Sequence, residues 1–209
     1  MQIVKQSIEL LDITEYALQV IEHAGRTCYK SEDHITTDSS EAFVRKLIKS
    51  GHEAMIEHAY ASYRFITDRG VSHEIVRHRL FSYAQSSTRY CNYSEGVTFI
   101  LPVWFPEDFE TNRNWKQHEA NWYSVMESCE ENYIYLLENG WTPQQARTVL
   151  PNSLKTEIVV TGNFREWRLF FKQRTSKQAH PQMRDLAIQC LDSFRCECPV
   201  IVEDINVEV

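Results

Sequence analysis

The sequence predicts an α+β fold: a single domain over residues 1–209, with a mixed or antiparallel sheet and flanking helices. Three observations point there. Segments with strand alternation and segments with helical spacing mix without the regular rhythm of a doubly wound sheet. No glycine-rich dinucleotide or phosphate loop occurs, so a nucleotide cofactor would need another mode of binding. A chain of 209 residues, 43% hydrophobic and 24% charged, suits one ordinary globular core.

Residues 2–11 hold enough β-branched and apolar positions for an opening strand. Asp12 with Glu15 makes a capping-box pattern, and Ala17, Val20, Ile21 and Ala24 keep helical spacing up to Gly25, a C′ candidate. Residues 26–37 are polar and read as loop. Asp38 and Glu41 repeat the start signal, and Phe43, Val44, Leu47 and Ile48 form an apolar face ending at Gly51. His52-Glu53-Ala54-Met55-Ile56-Glu57-His58 follows. It fails as a zinc helix, because H-E-x-x-H needs histidine where Ile56 stands and the inverted motif needs it where Ala54 stands. The plainer expectation is a polar turn with His58 a satisfied buried histidine, and no metal.

Ala59 to Thr67 alternates as a strand. A helix is expected from Gly70 onward, with Val71, Ile75, Val76 and Leu80 as its apolar positions. On such a helix Arg77 and Arg79 point about 200° apart. Either the helix breaks there, or the two arginines address different ligands or different subunits; the second reading is favoured and suits a site at an interface. Between residues 91 and 114 only Val97–Leu101 reads as a strand. Trp115 to Asn139 forms a long helix, with Trp122, Val125, Met126, Cys129, Tyr133, Leu136 and Leu137 on one stripe and Gly140 as its stop. Thr142-Pro143-Gln144-Gln145 is the clearest cap in the chain, opening a helix that ends near Pro151. Lys155 to Thr161 is a strand, and Asn163 with Glu166 caps a helix carrying Phe164, Trp167, Phe170 and Phe171 toward Arg174. A last helix follows His180-Pro181, with Met183, Leu186, Ala187, Cys190, Leu191 and Phe194 inward, and the tail Val200–Val209 is an edge-strand candidate.

The formal charge of −7 argues against a general nucleic-acid binder. No apolar run reaches the roughly 18 residues a membrane span needs. Met1–Gln6 lacks a signal-peptide pattern, so the expected location is cytoplasmic. Six cysteines at 28, 91, 129, 190, 196 and 198 are spaced too irregularly for a stapled scaffold and are expected to be free thiols.

Against that acidic background, Arg77 to Tyr90 packs three arginines, a histidine, four Ser/Thr hydroxyls and Gln85 into fourteen positions. Arginine forks and short hydroxyls are the donors an anion needs. Arg77-His78-Arg79, seven residues, then Ser87 resembles the signature of the flavin-dependent thymidylate synthases, and Arg69–Glu74 and Ser87–Tyr90 agree on either side. The likeness extends to Gly51-His52-Glu53, Ala146–Pro151, Gly162–Trp167 and Arg174-Thr175-Ser176.

The resemblance implies conversion of dUMP to dTMP, with methylenetetrahydrofolate as carbon donor, NADPH as reductant of FAD, and reduced flavin as the hydride source. It implies an intertwined homotetramer with shared active sites. Glu74, Arg77, Gln85, Ser86, Ser87, Thr88, Arg89, Arg147 and Arg174 fall at dUMP positions. His52, Arg77, His78, Arg79, Gln85, Asn163 and Arg165 fall at flavin positions. Arg174 is the catalytic candidate, a cation beside the uracil that stabilises charge developing on the ring. Ser87 has no general base among Gln85, Ser86, Thr88 and Arg89 and no G-x-S-x-G elbow, so it reads as a ligand and not a nucleophile. Asn163 is equally explained as a helix N-cap, and Arg147 and Arg165, taken alone, as solvated surface charge. Two positions depart from the family: Ala54 where many relatives carry a hydroxyl, and Leu169 where a polar residue is common. A reading from another class is an RNA-binding module using Arg77, Arg79 and Arg89 for phosphates and Tyr83 or Tyr90 for stacking; the acidic charge weighs against it.

Overall fold

A computed structural model of the chain describes residues 1–109, 111–112 and 114–207. It divides into two compact units. The first is Met1–Ser7, Phe65–Ile75 and Ala84–Ile158; the second is Ile8–Arg64, Val76–Tyr83 and Val159–Val209.

The strands are β1 (Gln2–Val4), β2 (Ser7–Ile13), β3 (Tyr60–Asp68), β4 (Ser82–Gln85), β5 (Thr98–Ile100) and β6 (Lys155–Asn163). The main sheet has the order β2-β3-β6-β4, and β1 pairs with β5 in parallel. Antiparallel pairing in the main sheet is plain from its ladder ends. Thr14 N donates to Tyr60 O, Phe164 N to Ala59 O and Ser86 N to Glu157 O. β3 and β6 alternate as their sequences require, with Ala61, Tyr63, Phe65 and Thr67 buried on one and Thr156, Ile158 and Val160 on the other. The expected strand 2–11 is two strands, β1 and β2, separated at Lys5 and Gln6.

The helices are α1 (Ala17–Thr27), α2 (Ser39–Lys49), α3 (Arg69–Ile75), α4 (Gln117–Glu138), α5 (Pro143–Ala146), α6 (Phe164–Arg174), α7 (Pro181–Glu197) and α8 (Pro199–Val202). Short 3₁₀ turns cover Glu32–His34, Glu53–His58 and Arg147–Val149. In the first unit α4 lays Met126 and Tyr133 on Val97, Phe99 and Leu154, while Val125 stays 54% exposed. In the second unit Trp167, Phe170 and Phe171 of α6 pack on one another and Phe171 meets Phe194 of α7, all fully buried. Each such aromatic contributes roughly 1.5–3 kcal/mol by burial. The Trp167 indole N–H is satisfied by Ala61 O at 3.0 Å.

Several expectations fail for identifiable reasons. The Asp12–Glu15 box does not form: Asp12 lies on β2, accepting the Tyr60 hydroxyl at 3.0 Å, and Tyr16 opens α1 in the left-handed region. Gly25 lies inside α1 rather than past its end, where a Cβ would come within 2.6 Å of the Phe43 ring. His58 is exposed, not buried. The helix from Gly70 ends at Ile75, and Leu80 is 74% exposed. The tail forms α8 and no edge strand among its described residues, and Glu208 and Val209 lie outside them. The buried Arg168 accounts for this locally. It donates to Ile201 O and forks onto Asp204, holding the segment against α6. All six cysteines are free thiols; burial raises the pKa of Cys190 and pushes that of Cys198 up to about 11.

Candidate active site

The predicted site residues fall into two groups. Glu74, Gln85, Ser86, Ser87, Thr88, Arg89 and Arg147 belong to the first unit. His52, Arg77, His78, Arg79, Asn163, Arg165 and Arg174 belong to the second.

In the first unit the scaffold is β6. Thr156 takes an inward position that its neighbours Ile158 and Val160 fill with apolar side chains. Its hydroxyl anchors the end of β4: Gln85 Nε2 donates to Thr156 Oγ1 at 3.0 Å and to Ser72 Oγ at 2.9 Å. Ser72 spends its own proton on Arg69 O, so its oxygen can only accept from Gln85, which fixes the amide orientation. Ser86 Oγ lies 3.0 Å from Thr156 Oγ1 and accepts from Glu157 N at 3.2 Å. Beyond it the chain turns, with Tyr90 N and Cys91 N donating to Ser87 O and Arg89 N to Ser87 Oγ. Thr88 is buried and accepts from Arg147 Nη1 at 3.0 Å.

Arg147 itself is delivered by the Thr142–Gln145 capping box, which forms as expected. Ser86, Ser87, Arg89 and Arg147 are the donor set that a phosphate dianion requires. Among the described residues Ser87 Oγ has no base in hydrogen-bond contact; it accepts from Arg89 N at 3.3 Å. Glu74 is half-buried on the last turn of α3.

In the second unit the scaffold is α6. Asn163 is its N-cap, its side chain accepting from Glu166 N at 2.9 Å. Arg165 is exposed and pairs with Glu57 at 2.6 Å, with Glu53 at 3.9 Å. A cavity of about 520 Å³ opens here, lined by Leu80, Asn163, Arg165, Leu169 and Lys172 beside Glu53 and Glu57. Arg165 and Glu57 keep 52% and 42% of their side-chain area in solvent, so their pair is worth about 1 kcal/mol or less and yields readily to a bound anion. Arg77 and Arg79 are exposed and have no hydrogen-bond or ion-pair partner among the described residues. These cations and the α6 N-terminus fit the phosphates of a dinucleotide. His52 and Ala54, both exposed, line a second cavity of about 610 Å³ with Arg26, Phe43 and Lys46.

The break after Ile75 reshapes the signature. Arg77 lies in a turn, so the opposed arginines of a continuous helix do not exist. Phe81 drops into the core at 5% exposure, against Trp167 at 4.5 Å and over Gly162, where a Cβ would lie 2.0 Å from its ring. The Tyr83 hydroxyl donates to His78 O. His78 is thereby buried, and burial first and Arg174 second lower its pKa to about 4. It is a neutral imidazole near pH 7, and its Nε2 accepts from Arg174 Nε at 3.0 Å. Glu166, Ser72, Thr156 and Tyr83 were not among the predicted site residues. A polar Thr156 in an apolar register was the legible signal for one.

Among the described residues no helix is long and apolar enough to cross a membrane, and no group of three metal-ligating side chains could hold a metal ion. Residues 9–200 match the family profile described as thymidylate synthase complementing protein. A flavin-dependent thymidylate synthase of Corynebacterium aurimucosum is 38% identical over 199 residues, 90% of this chain and 80% of that protein. One from Mycobacterium tuberculosis is 33% identical over 200 residues, 90% of this chain and 79% of that protein. The crystal structure of a UMP/dUMP methylase, PolB from Streptomyces cacaoi, bound with 5-Br dUMP, shares the fold: TM-score 0.82, 23% identity, 97% of this chain and 96% of that one.

Proposed function

Because this chain belongs to the family of flavin-dependent thymidylate synthases, we propose that it methylates dUMP to dTMP. Methylenetetrahydrofolate gives the carbon, FAD is the cofactor and NADPH its reductant. The bound flavin, once reduced, supplies the hydride that completes the methyl group. The observation that carries the reading is the match to the family over residues 9–200, which takes in the whole signature segment.

The residue roles are those the family resemblance implies, and residue chemistry supports some of them. Ser86, Ser87, Arg89 and Arg147 bind the nucleotide phosphate, with Thr88 steadying Arg147 through their 3.0 Å hydrogen bond. Glu74, Arg77 and Gln85 orient the nucleotide. Arg174 stands at the uracil, and its fixed positive charge stabilises the negative charge that grows on the ring as it is activated. His52, Arg77, His78, Arg79, Gln85, Asn163 and Arg165 form the flavin side, the exposed arginines taking phosphates and the α6 N-terminus adding its dipole.

The chain works as a cytoplasmic homotetramer with shared sites. The opposed arginines no longer support that assembly, and the family is its main support. The exposed Val125 and Tyr135 of α4 are apolar surface that a second copy would cover. Two observations test the reading cheaply: a flavin absorption band in the purified protein, and rescue of a thymidine-requiring strain. A colourless protein that shifts RNA, or a failure to rescue despite soluble expression, would overturn it in favour of an RNA-binding module.

A further inference from the structure

Three successive turns of α6 close on one imidazole. Glu166, Phe170 and Arg174 stand at i, i+4 and i+8 and share a face of the helix. Arg174 Nε donates to His78 Nε2 at 3.0 Å, the Phe170 ring meets the imidazole edge-on at 5.2 Å, and Glu166 Oε1 lies 3.6 Å from Nδ1. From the other side the Tyr83 hydroxyl holds the His78 carbonyl and Phe81 packs against the ring at 6.0 Å. Glu166 and His78 are each 4% exposed at the side chain.

The donor inventory decides the protonation pattern. A guanidinium only donates, so the ring nitrogen that meets Arg174 must be bare. A neutral imidazole then carries its proton on Nδ1, the nitrogen facing Glu166. Either form of that carboxyl offers a bare oxygen to the Nδ1 proton. We propose that Glu166 and His78 are positioning residues for Arg174, with Glu166 fixing the Nδ1–H tautomer of His78 so that the bare Nε2 anchors the guanidinium. Without Glu166 the proton is free to move to Nε2, where it would confront Arg174 Nε–H and turn the anchor into a clash. A half-exposed arginine on the last turn of a helix has many rotamers, and one fixed acceptor on Nε restricts them. The consequence for turnover rests on the reading of Arg174 as the uracil-side cation; the tautomer does not.

The test has one arm without substrate and one with it. In protein carrying ¹⁵N-labelled histidine, the His78 nitrogen shifts report the tautomer directly. The expected result is protonated Nδ1 and bare Nε2 in the wild type and in Glu166→Gln, whose amide oxygen still accepts, with loss of that pattern in Glu166→Leu. A protonated Nε2 in the wild-type protein would overturn the proposal whether or not either variant folds. So would an unchanged tautomer in folded Glu166→Leu. In turnover, Glu166→Leu should lower kcat about tenfold to a hundredfold with bound flavin retained. Added to Arg174→Ala, it should cost less than about twofold more, because both act through one group. Additive losses, or loss of flavin with the tautomer intact, would overturn the proposal. A protein that shows the tautomer yet never makes dTMP would instead count against the proposed function.

Discussion

Acid is the perturbation that bears most directly on the buried His78. Its pKa is lowered from 6.5 to about 4, by burial first and by the Arg174 guanidinium second. The folded chain therefore binds this proton less readily than the unfolded chain does. His78 contributes its full stability above pH 6.5 and loses it as the pH falls toward about 4. Between about pH 7.5 and about pH 5, those two values make the fold about 2 kcal/mol less stable. Glu166 acts with the opposite sign. Burial raises its pKa, so its contribution grows as the pH falls through the raised value. The Tyr83 phenol, raised by burial, does not titrate in this range. Glu166→Gln removes the opposing carboxyl and isolates the histidine. Urea unfolding of that variant should show the loss of about 2 kcal/mol, and the double variant His78→Phe/Glu166→Gln should lose the slope. Equal pH slopes in the two would refute a buried neutral histidine.

Arg174→Ala should cut dTMP formation by about two to three decades while the circular dichroism stays that of the wild type, and unchanged turnover would remove it from the chemistry. Ser87→Ala should weaken dUMP binding by about 1 kcal/mol, or up to roughly 3 if the phosphate is its partner, yet still turn over at saturating dUMP. A trapped Ser87–uracil adduct would sink the ligand reading. Gly162→Ala should destabilise the fold by about 1–3 kcal/mol in urea titration, because the added methyl displaces Phe81 from beneath the signature. Wild-type stability in that variant would show that Phe81 is not seated by Gly162.

Much of the fold was legible because local signals agreed with tertiary demands. β3 and β6 alternate in sequence and in burial, and the Thr142 box and the Asn163 cap form where their residues stand. The end of α3 was not legible. Val71, Ile75, Val76 and Leu80 keep helical spacing, yet the chain breaks at Ile75. What opposes the helix there is partly distant in sequence, the Gly162 surface that receives Phe81, and partly a nearby contact that helical spacing does not report, the Tyr83 hydroxyl on the His78 carbonyl. The tail misled in the same way, since Val200, Ile201 and Val202 favour a strand in isolation. Pro199 at a helix start and Arg168 on Ile201 O decide otherwise.

The candidate site divides along similar lines. Arginines and hydroxyls announced themselves by composition, while the groups that aim them are buried and look like core. Glu166 read as the closing residue of a capping box, and only half of that box exists. Its N–H caps onto Asn163 while its carboxyl turns inward to His78. No local pattern separates those two fates, because the imidazole that receives it lies on another part of the chain.

Product analysis of the purified protein tests the central claim most directly. Incubated with dUMP, methylenetetrahydrofolate and NADPH, the flavin-loaded wild-type chain should form dTMP, detected by mass, at a rate that vanishes when any one of the three is left out and collapses in Arg174→Ala. Wild-type protein with flavin bound that leaves dUMP unchanged under those conditions would contradict the account.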